Sequence, residues 1–372
     1  MISPTRLLAV ARKEFIQLRR DTRSLLLAFV LPVLLLIIFG YAISWDVRNI
    51  RMAVLDQDRS ATSRELIQSL QASGYFSVES FLERSGAIEP LLERGGAQLV
   101  LVIPPGFAAD LDAGRTAPLQ AIVDGSDANT ATIALGYTEA VVRTWSTRGQ
   151  LQGRTFVPPV VAETRVWFNE EMESRNMIVP GLVAVIMMII AAMLTSLTIA
   201  REWERGTMEQ LAATPVSRLE VVLGKLLPYL GIGLLDVVLS SVLGVLLFGV
   251  PFRGNAALLM ILSFFFLCGA LGLGLFISAV AKSQVLATQV AMVVTFLPTL
   301  LLSGFMFSIE AMPPVLRALS HLIPARYFLV VTRGIFLKGV GAEVLRTQGL
   351  LMLAFAVAGL GLAVLKFRKE LE

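Results

Sequence analysis

Ser24-Leu25-Leu26-Leu27-Ala28-Phe29-Val30-Leu31-Pro32-Val33-Leu34-Leu35-Leu36-Ile37-Ile38-Phe39-Gly40-Tyr41-Ala42-Ile43-Ser44 runs for 21 residues without a charged side chain. A helix crosses the hydrocarbon core of a bilayer with roughly 20 apolar residues, so this stretch places the chain in a membrane. Five further span-length apolar runs follow at 177–200, 226–250, 256–280, 285–307 and 343–365, of which the second holds Asp236 and the last Glu343 and Arg346. Composition agrees: of 372 residues 55% are hydrophobic and only 16% charged, with a mean hydropathy of +0.73. Soluble domains carry about a quarter charged residues, and a disordered chain this apolar could not stay solvated. The expected fold is a polytopic α-helical membrane protein with six transmembrane helices and an α/β domain inserted between helices 1 and 2.

Orientation follows from Lys and Arg near the span ends. Residues 1–23 carry Arg6, Arg12, Lys13, Arg19, Arg20 and Arg23; the loop after the second span carries Arg201, Arg205, Arg218 and Lys225. Lys282 stands between the fourth and fifth spans, and Lys366, Arg368 and Lys369 close the chain. An even number of spans puts these segments and both termini on one side, expected to be cytoplasmic. Residues 45–176, with 12 basic and 17 acidic side chains, then lie outside. Ala42-Ile43-Ser44 has small residues at a cleavage-like spacing, but the basic leader is long and the apolar run is of span length, so an uncleaved signal anchor is expected.

The outer segment reads as a small α/β domain. Strands are expected at 51–55, 76–79, 98–103 and 119–123, each rich in Val, Ile, Leu or Phe. Helices are expected at 61–72, 86–94, 106–113 and 129–147, with Ser60 capping the first and Pro105 opening the third. Asp124-Gly125-Ser126-Asp127 has the look of a metal or sugar loop; turn chemistry makes a turn and helix cap the better reading.

The leader is an amphipathic helix with Ser3 at the cap and Pro4 at the first position. Leu7, Leu8, Ala11, Phe15 and Leu18 share one arc, opposite Arg6, Lys13, Gln17 and Arg20. Such a helix lies in the membrane interface, basic side toward lipid phosphates or a partner.

The loop after the second span reads Arg201-Glu202-Trp203-Glu204-Arg205-Gly206-Thr207-Met208-Glu209-Gln210-Leu211-Ala212-Ala213-Thr214-Pro215. Thr207 and Gln210 have capping-box spacing, Glu209 falls in the first turn and Pro215 stops the helix. Ser217 and Glu220 repeat the spacing and start the third span near Arg218. A short, separately capped helix at 207–213 suits insertion into a groove on a soluble partner.

Glu204-Arg205-Gly206-Thr207, with Glu209, Leu211, Thr214 and Pro215, resembles the signature loop of bacterial ABC-2 type transporter permeases. Ala11-Arg12-Lys13-Glu14-Phe15 resembles their N-terminal connecting helix. Pro298, Ser303-Gly304-Phe305 and Ile323-Pro324-Ala325-Arg326-Tyr327-Phe328 resemble their late transmembrane region. The long outer domain is similar to that of the Ybh/Yhh branch. The resemblance implies a six-span permease subunit that pairs with a second copy or a paralogous permease and with two cytosolic ATPase subunits. It implies that 207–213 is the coupling helix, with Glu202, Glu204, Arg205, Gly206, Thr207 and Glu209 as ATPase-coupling residues. Arg12, Lys13 and Glu14 are expected to belong to the connecting helix, and 313–322 to form a short outer re-entrant helix. Membrane lipid is an expected partner and a periplasmic adaptor an admissible one; nucleic acid is not expected.

The chain has no Gly-x-x-x-x-Gly-Lys-Ser/Thr loop, since Gly224-Lys225 is followed by Leu226. No cofactor is expected here, ATP and Mg falling to the partner ATPase. Cys268 and His321, one of each type, cannot make a Cys/His metal site or a disulfide. His321 sits among Leu322, Ile323 and Pro324 without a nucleophile signature and reads as an interface histidine.

Asp236, inside the third span, is the candidate for the translocation path. It reads either as a cargo or proton contact, or as a hydrogen-bonded carboxyl locking helix packing. Gly269, Ala270, Gly272 and Gly274 offer a small-residue packing surface. The expected function is export of an amphipathic molecule, drug-like or lipid, across the bacterial inner membrane. The alternatives are an ion-coupled secondary transporter, which would need more intramembrane ionisable groups, and a membrane-anchored sensor, for which the cytoplasmic segments are short.

Overall fold

The computed structural model describes residues 3–42, 49–126, 128–150, 168–169 and 173–367. Ile43, Ser44, Asp127, Arg368 and Lys369, on which parts of the sequence reading rest, lie outside the described residues. The chain divides into two compact units, residues 45–165 and the remainder.

In chain order the elements are α1 (Pro4–Arg20), α2 (Thr22–Ala42), β1 (Ile50–Asp56), α3 (Ala61–Ala72), β2 (Phe76–Phe81), α4 (Ile88–Glu93), β3 (Leu99–Ile103), α5 (Phe107–Asp112), β4 (Gln120–Val123), α6 (Ala128–Gln150), α7 (Ser174–Glu204), α8 (Met208–Ala212), α9 (Arg218–Phe248), α10 (Ala256–Ala281), α11 (Gln284–Leu302), α12 (Pro314–Ser320), α13 (Pro324–Arg333) and α14 (Ala342–Lys366). Among the described residues six helices are long and apolar enough to span a membrane: α2, α7, α9, α10, α11 and α14. All six expected spans are present. The third helix starts at Arg218, where the Ser217–Glu220 capping box places it, the capped polar turns continuing into the apolar run. The fifth ends at Leu302 rather than 307, because Gly304 takes a left-handed φ of 86°.

α7 is the hub, buried along most of its length with α2, α9, α10, α11 and α13 packed around it. Lipid tails are as apolar as Leu, so helices associate through close packing rather than hydrophobic burial. The small-residue surface of α10 does this. A Cβ on Gly272 would meet the backbone of Leu360 at 2.8 Å and of Gly359 at 2.9 Å, and one on Gly274 would collide with Thr195 and Ala192. Thr195 Oγ1 donates to the carbonyl of Leu271 at 3.0 Å, and Ser278 Oγ accepts from the amides of Ile199 and Ala200 at 2.9 Å.

Beyond α11 the chain is more elaborate than a single short helix. α12 falls within the expected 313–322, but it is followed by α13 and a π-helical turn, Gly334–Lys338, bent 78° from it. Together α12 and this second arm are apolar enough for a span, and the bend makes them a broken span or a re-entrant element.

The inserted unit holds a four-stranded sheet in the order β2-β1-β3-β4, parallel except for β4, which pairs antiparallel with β3. All four expected strands form. Ile50, Met52 and Val54 of β1 face one core with Leu66 and Leu70 of α3, while Ala53 turns to the opposite core. That alternation is the period of two a strand imposes. Ser60 caps α3 through Ser63 N at 3.0 Å, as expected. α5 is opened by Gly106 at φ 83° rather than by Pro105; its first amides are instead capped from a distance by Asp58. Asp124 Oδ1 accepts from Ser126 N at 2.9 Å, the Asx turn that the turn reading requires.

Candidate functional site

The end of α7 closes on Gly206, whose φ of 67° only glycine adopts without strain. Gly206 N donates to Trp203 O at 3.2 Å and Thr207 N to Glu202 O at 3.1 Å. These two bonds form a Schellman motif. They also correct the expected Thr207–Gln210 capping box. Thr207 precedes α8, but its φ and ψ of −80° and −4° are helical, and its hydroxyl donates back to Glu202 O at 3.4 Å rather than capping α8. Its amide is already spent on ending α7. α8 forms nonetheless, within the expected 207–213, with Met208 buried and Glu209 and Gln210 exposed. Glu209 makes no side-chain hydrogen bond or ion pair among the described residues.

The second capping box is present. Ser217 Oγ accepts from Glu220 N at 3.3 Å, and Glu220 Oε2 accepts from Ser217 N at 2.7 Å. Glu220 Oε1 also accepts the amide of Ser3 at 2.6 Å, and Arg6 donates to Pro215 O at 2.6 Å. Ser3 stands at the cap position, but its side chain makes no capping bond. The beginnings of α1 and α9 are thus fastened together.

α1 lies along α9. A Cβ on Gly224 would come within 2.7 Å of Val10 Cβ, so glycine permits the close approach. The inward stripe of α1 is Val10, Glu14 and Leu18, whereas Leu8 and Phe15 of the expected apolar arc are 61% and 54% exposed. The helix is turned so that a carboxylate, not an apolar side chain, faces inward at its middle.

That carboxylate has its counter-charge. Lys225 Nζ of α9 lies 3.0 Å from Glu14 Oε2 and 3.1 Å from Glu202 Oε1 of α7, and Lys13 Nζ is 2.8 Å from the same Glu202 oxygen. Tyr229 donates its hydroxyl to Glu14 Oε1 at 3.2 Å. Beside them Arg201 of α7 pairs with Asp21, the residue between α1 and α2, at 2.9 Å. Lys225, Glu14 and Glu202 are buried, and the half-exposed Lys13 balances the second carboxylate, which makes that burial tolerable. The cluster joins α1, α7 and α9 at the end of the bundle that carries α8.

Other expected site residues are placed differently. Arg12 is exposed on the far side of α1, so the Arg12-Lys13-Glu14 trio divides. Glu204 accepts from the amide of Gln284 at 2.7 Å and from its side-chain Nε2, capping α11 from the end of α7. Arg205 is exposed and without a side-chain partner among the described residues. Asp236 is 1% exposed in α9, and its Oδ1 has no hydrogen-bond partner among the described residues. His321 Nδ1 contacts only its own helix, at Arg317 O, 3.0 Å.

Sequence reasoning missed Lys225, Tyr229 and Asp21 as site residues. The signal was available: Lys225 is a lysine at the entry of an apolar helix, and Glu14 and Asp21 are the two acids of a basic leader.

The sequence model of the ABC-2 family transporter proteins matches residues 23–365. The chain is 41% identical over 374 residues to an Escherichia coli K12 protein named as a probable multidrug ABC transporter permease, YbhS, covering 100% of this chain and 99% of that one. It is 32% identical to YbhR of the same organism, named likewise, over 91% of this chain and 92% of the relative. It is 27% identical to YhhJ, named as an inner membrane transport permease, over 86% and 85%. The resemblance drawn from the loop and the leader is thereby met.

Proposed function

The chain belongs to the ABC-2 family of transporter proteins as a transmembrane permease subunit without an ATPase domain, and from that premise we propose that it is the membrane half of an exporter driven by separate ATPase subunits. The cargo is an amphipathic molecule, drug-like or lipid, moved across the bacterial inner membrane. ATP and Mg are bound by the ATPase, and a second permease, identical or paralogous, completes the complex. The side carrying α1 and α8 is cytoplasmic; residues 45–176 lie outside, where a periplasmic adaptor would meet them. α12 and α13 form the outer re-entrant element, and Asp236 stands on the translocation path.

One observation carries this reading. α8 projects its exposed Glu209 from a turn fixed by Gly206, and the same end of α7 is bound through Glu202 to Lys225 and Lys13. A push on α8 or α1 therefore reaches α7, the helix every other span but α14 packs against. Packed elements of this kind shift as discrete bodies rather than deforming gradually. Membranes from cells carrying a tagged chain, solubilised and affinity-purified, are expected to yield an ATPase subunit, and inverted vesicles to accumulate an amphipathic dye with ATP. A chain purified without any ATPase, or dye movement driven by an ion gradient alone, would contradict the reading.

A further inference from the structure

We infer that the cleft bounded by α1, α2 and the α8-proximal end of α7 is a binding site for an anionic phospholipid, with its phosphate on Arg20 and Arg205 and an acyl chain against Ile16, Leu27 and Leu197. The inference does not rest on the transport reading, because its test measures lipid retention and not export.

The cleft has a volume of about 920 Å³. Four cations line it, Lys13, Arg20, Arg201 and Arg205, against one carboxylate, Asp21. Lys13 is held by Glu202 and Arg201 by Asp21. Arg20 and Arg205 are exposed and make no side-chain hydrogen bond or ion pair among the described residues. Two uncompensated guanidinium groups at one mouth favour an anion from outside the chain, and their planar forks suit phosphate oxygens.

The opposite wall is apolar. Leu27 and Leu197 line the cleft and also a second, entirely apolar groove, completed by Leu31, Ile190, Met193 and Leu194, along α2 and α7. The groove itself is closely packed, with no room for a water, so an acyl chain would lie against the Ile16, Leu27 and Leu197 wall of the cleft. The depth also fits. Arg20 stands at the last turn of α1 before α2 begins, and Phe15 and Leu8 expose apolar surface on α1. Trp203, with Lys282 Nζ 4.8 Å from its ring centre, marks the same end of α7. Exposed aromatics beside Lys and Arg are features of the headgroup level. Zwitterionic phosphatidylcholine would bring its quaternary ammonium to the same cations, so the preference is for net negative lipid.

The test uses the full chain purified in detergent, incubated with equimolar phosphatidylglycerol and phosphatidylcholine and read by native mass spectrometry. Phosphatidylglycerol is expected to be retained over phosphatidylcholine. The double variant R20Q/R205Q should lose about thirtyfold in affinity, each cation near an anionic surface being worth roughly fivefold, and R20K/R205K should keep most of it. Equal retention of the two lipids, unchanged retention in R20Q/R205Q, or full displacement by inorganic phosphate would each overturn the site; the first and last use the unmodified chain and need no variant to fold.

Discussion

Lys225 Nζ lies 3.0 Å from Glu14 Oε2, although 211 residues separate them and both side chains are at most 3% exposed. A lysine this deep is tolerated only with its counter-charges in place, here Glu14 and Glu202. Replacing the pair with apolar groups need not destabilise, whereas removing one member leaves a buried charge uncompensated at a cost of about 3–5 kcal/mol. Lys225→Met should therefore unfold at markedly lower temperature in detergent, and adding Glu14→Gln should restore part of the loss. A single variant as stable as the parent would show that the cluster does not fasten α1.

Glu204 caps α11 across the turn, supplying acceptors that Ser283 at the cap position does not. Glu204→Ala should raise the exchange rate of the Gln284 amide while leaving the Gly206 turn protected. Unchanged exchange at Gln284 would remove the capping role. This contact also means that charge reversal at Glu204 disturbs α11 as well as any partner, so it is a poor probe of coupling alone.

The parts of the fold that depend on nearby residues were legible in the sequence. Span-length apolar runs, strand alternation at Met52 and Val54, and the Ser217–Glu220 capping box are all set within a few positions of themselves. What escaped depends on distant partners. The apolar arc of α1 marks its exposed face through Leu8 and Phe15, but nothing near it in sequence shows that Lys225 holds Glu14 inward. Thr207 has the spacing of a capping box, but its amide is consumed by α7. The second arm at α13 was hidden because Pro324–Lys338 is shorter than a span and is bent 78° from α12.

Asp236 gives different outcomes according to its role. A packing lock requires a partner that Leu would strand, yet its Oδ1 has none among the described residues. An orphan buried carboxyl is costly to keep, so Asp236→Leu should insert and assemble as well as the parent. On the proposed path role, transport should fall in both Asp236→Leu and Asp236→Asn. An aggregating Leu variant beside a normally exporting Asn variant would return the residue to packing.

The inserted unit carries a pH-dependent cap. The hydroxyl of Ser60 holds the Asp58 carboxyl below its ordinary value, burial opposes it next, and the amides of Ala108, Gly106 and Phe107 add to the lowering. A depressed folded value means the stabilisation is full above the ordinary Asp range, near 4, and is lost as pH falls through the folded value. Asp58→Asn should reduce protection of the Gly106 and Ala108 amides at neutral pH, with the difference from the parent shrinking below about pH 4. A difference of the same size in acid would contradict the charge-based account.

The central claim is that α8 receives the motion of an ATPase, and Glu209 tests it most directly because it is exposed and has no partner among the described residues whose loss could disturb folding. The measurement is transport per ATP hydrolysed in proteoliposomes holding the permease and its ATPase, with Glu209→Lys against the parent. The account predicts a severalfold fall in that ratio with the chain still inserted and thermally unchanged. Equal transport and equal substrate-stimulated hydrolysis in the two proteins would contradict it.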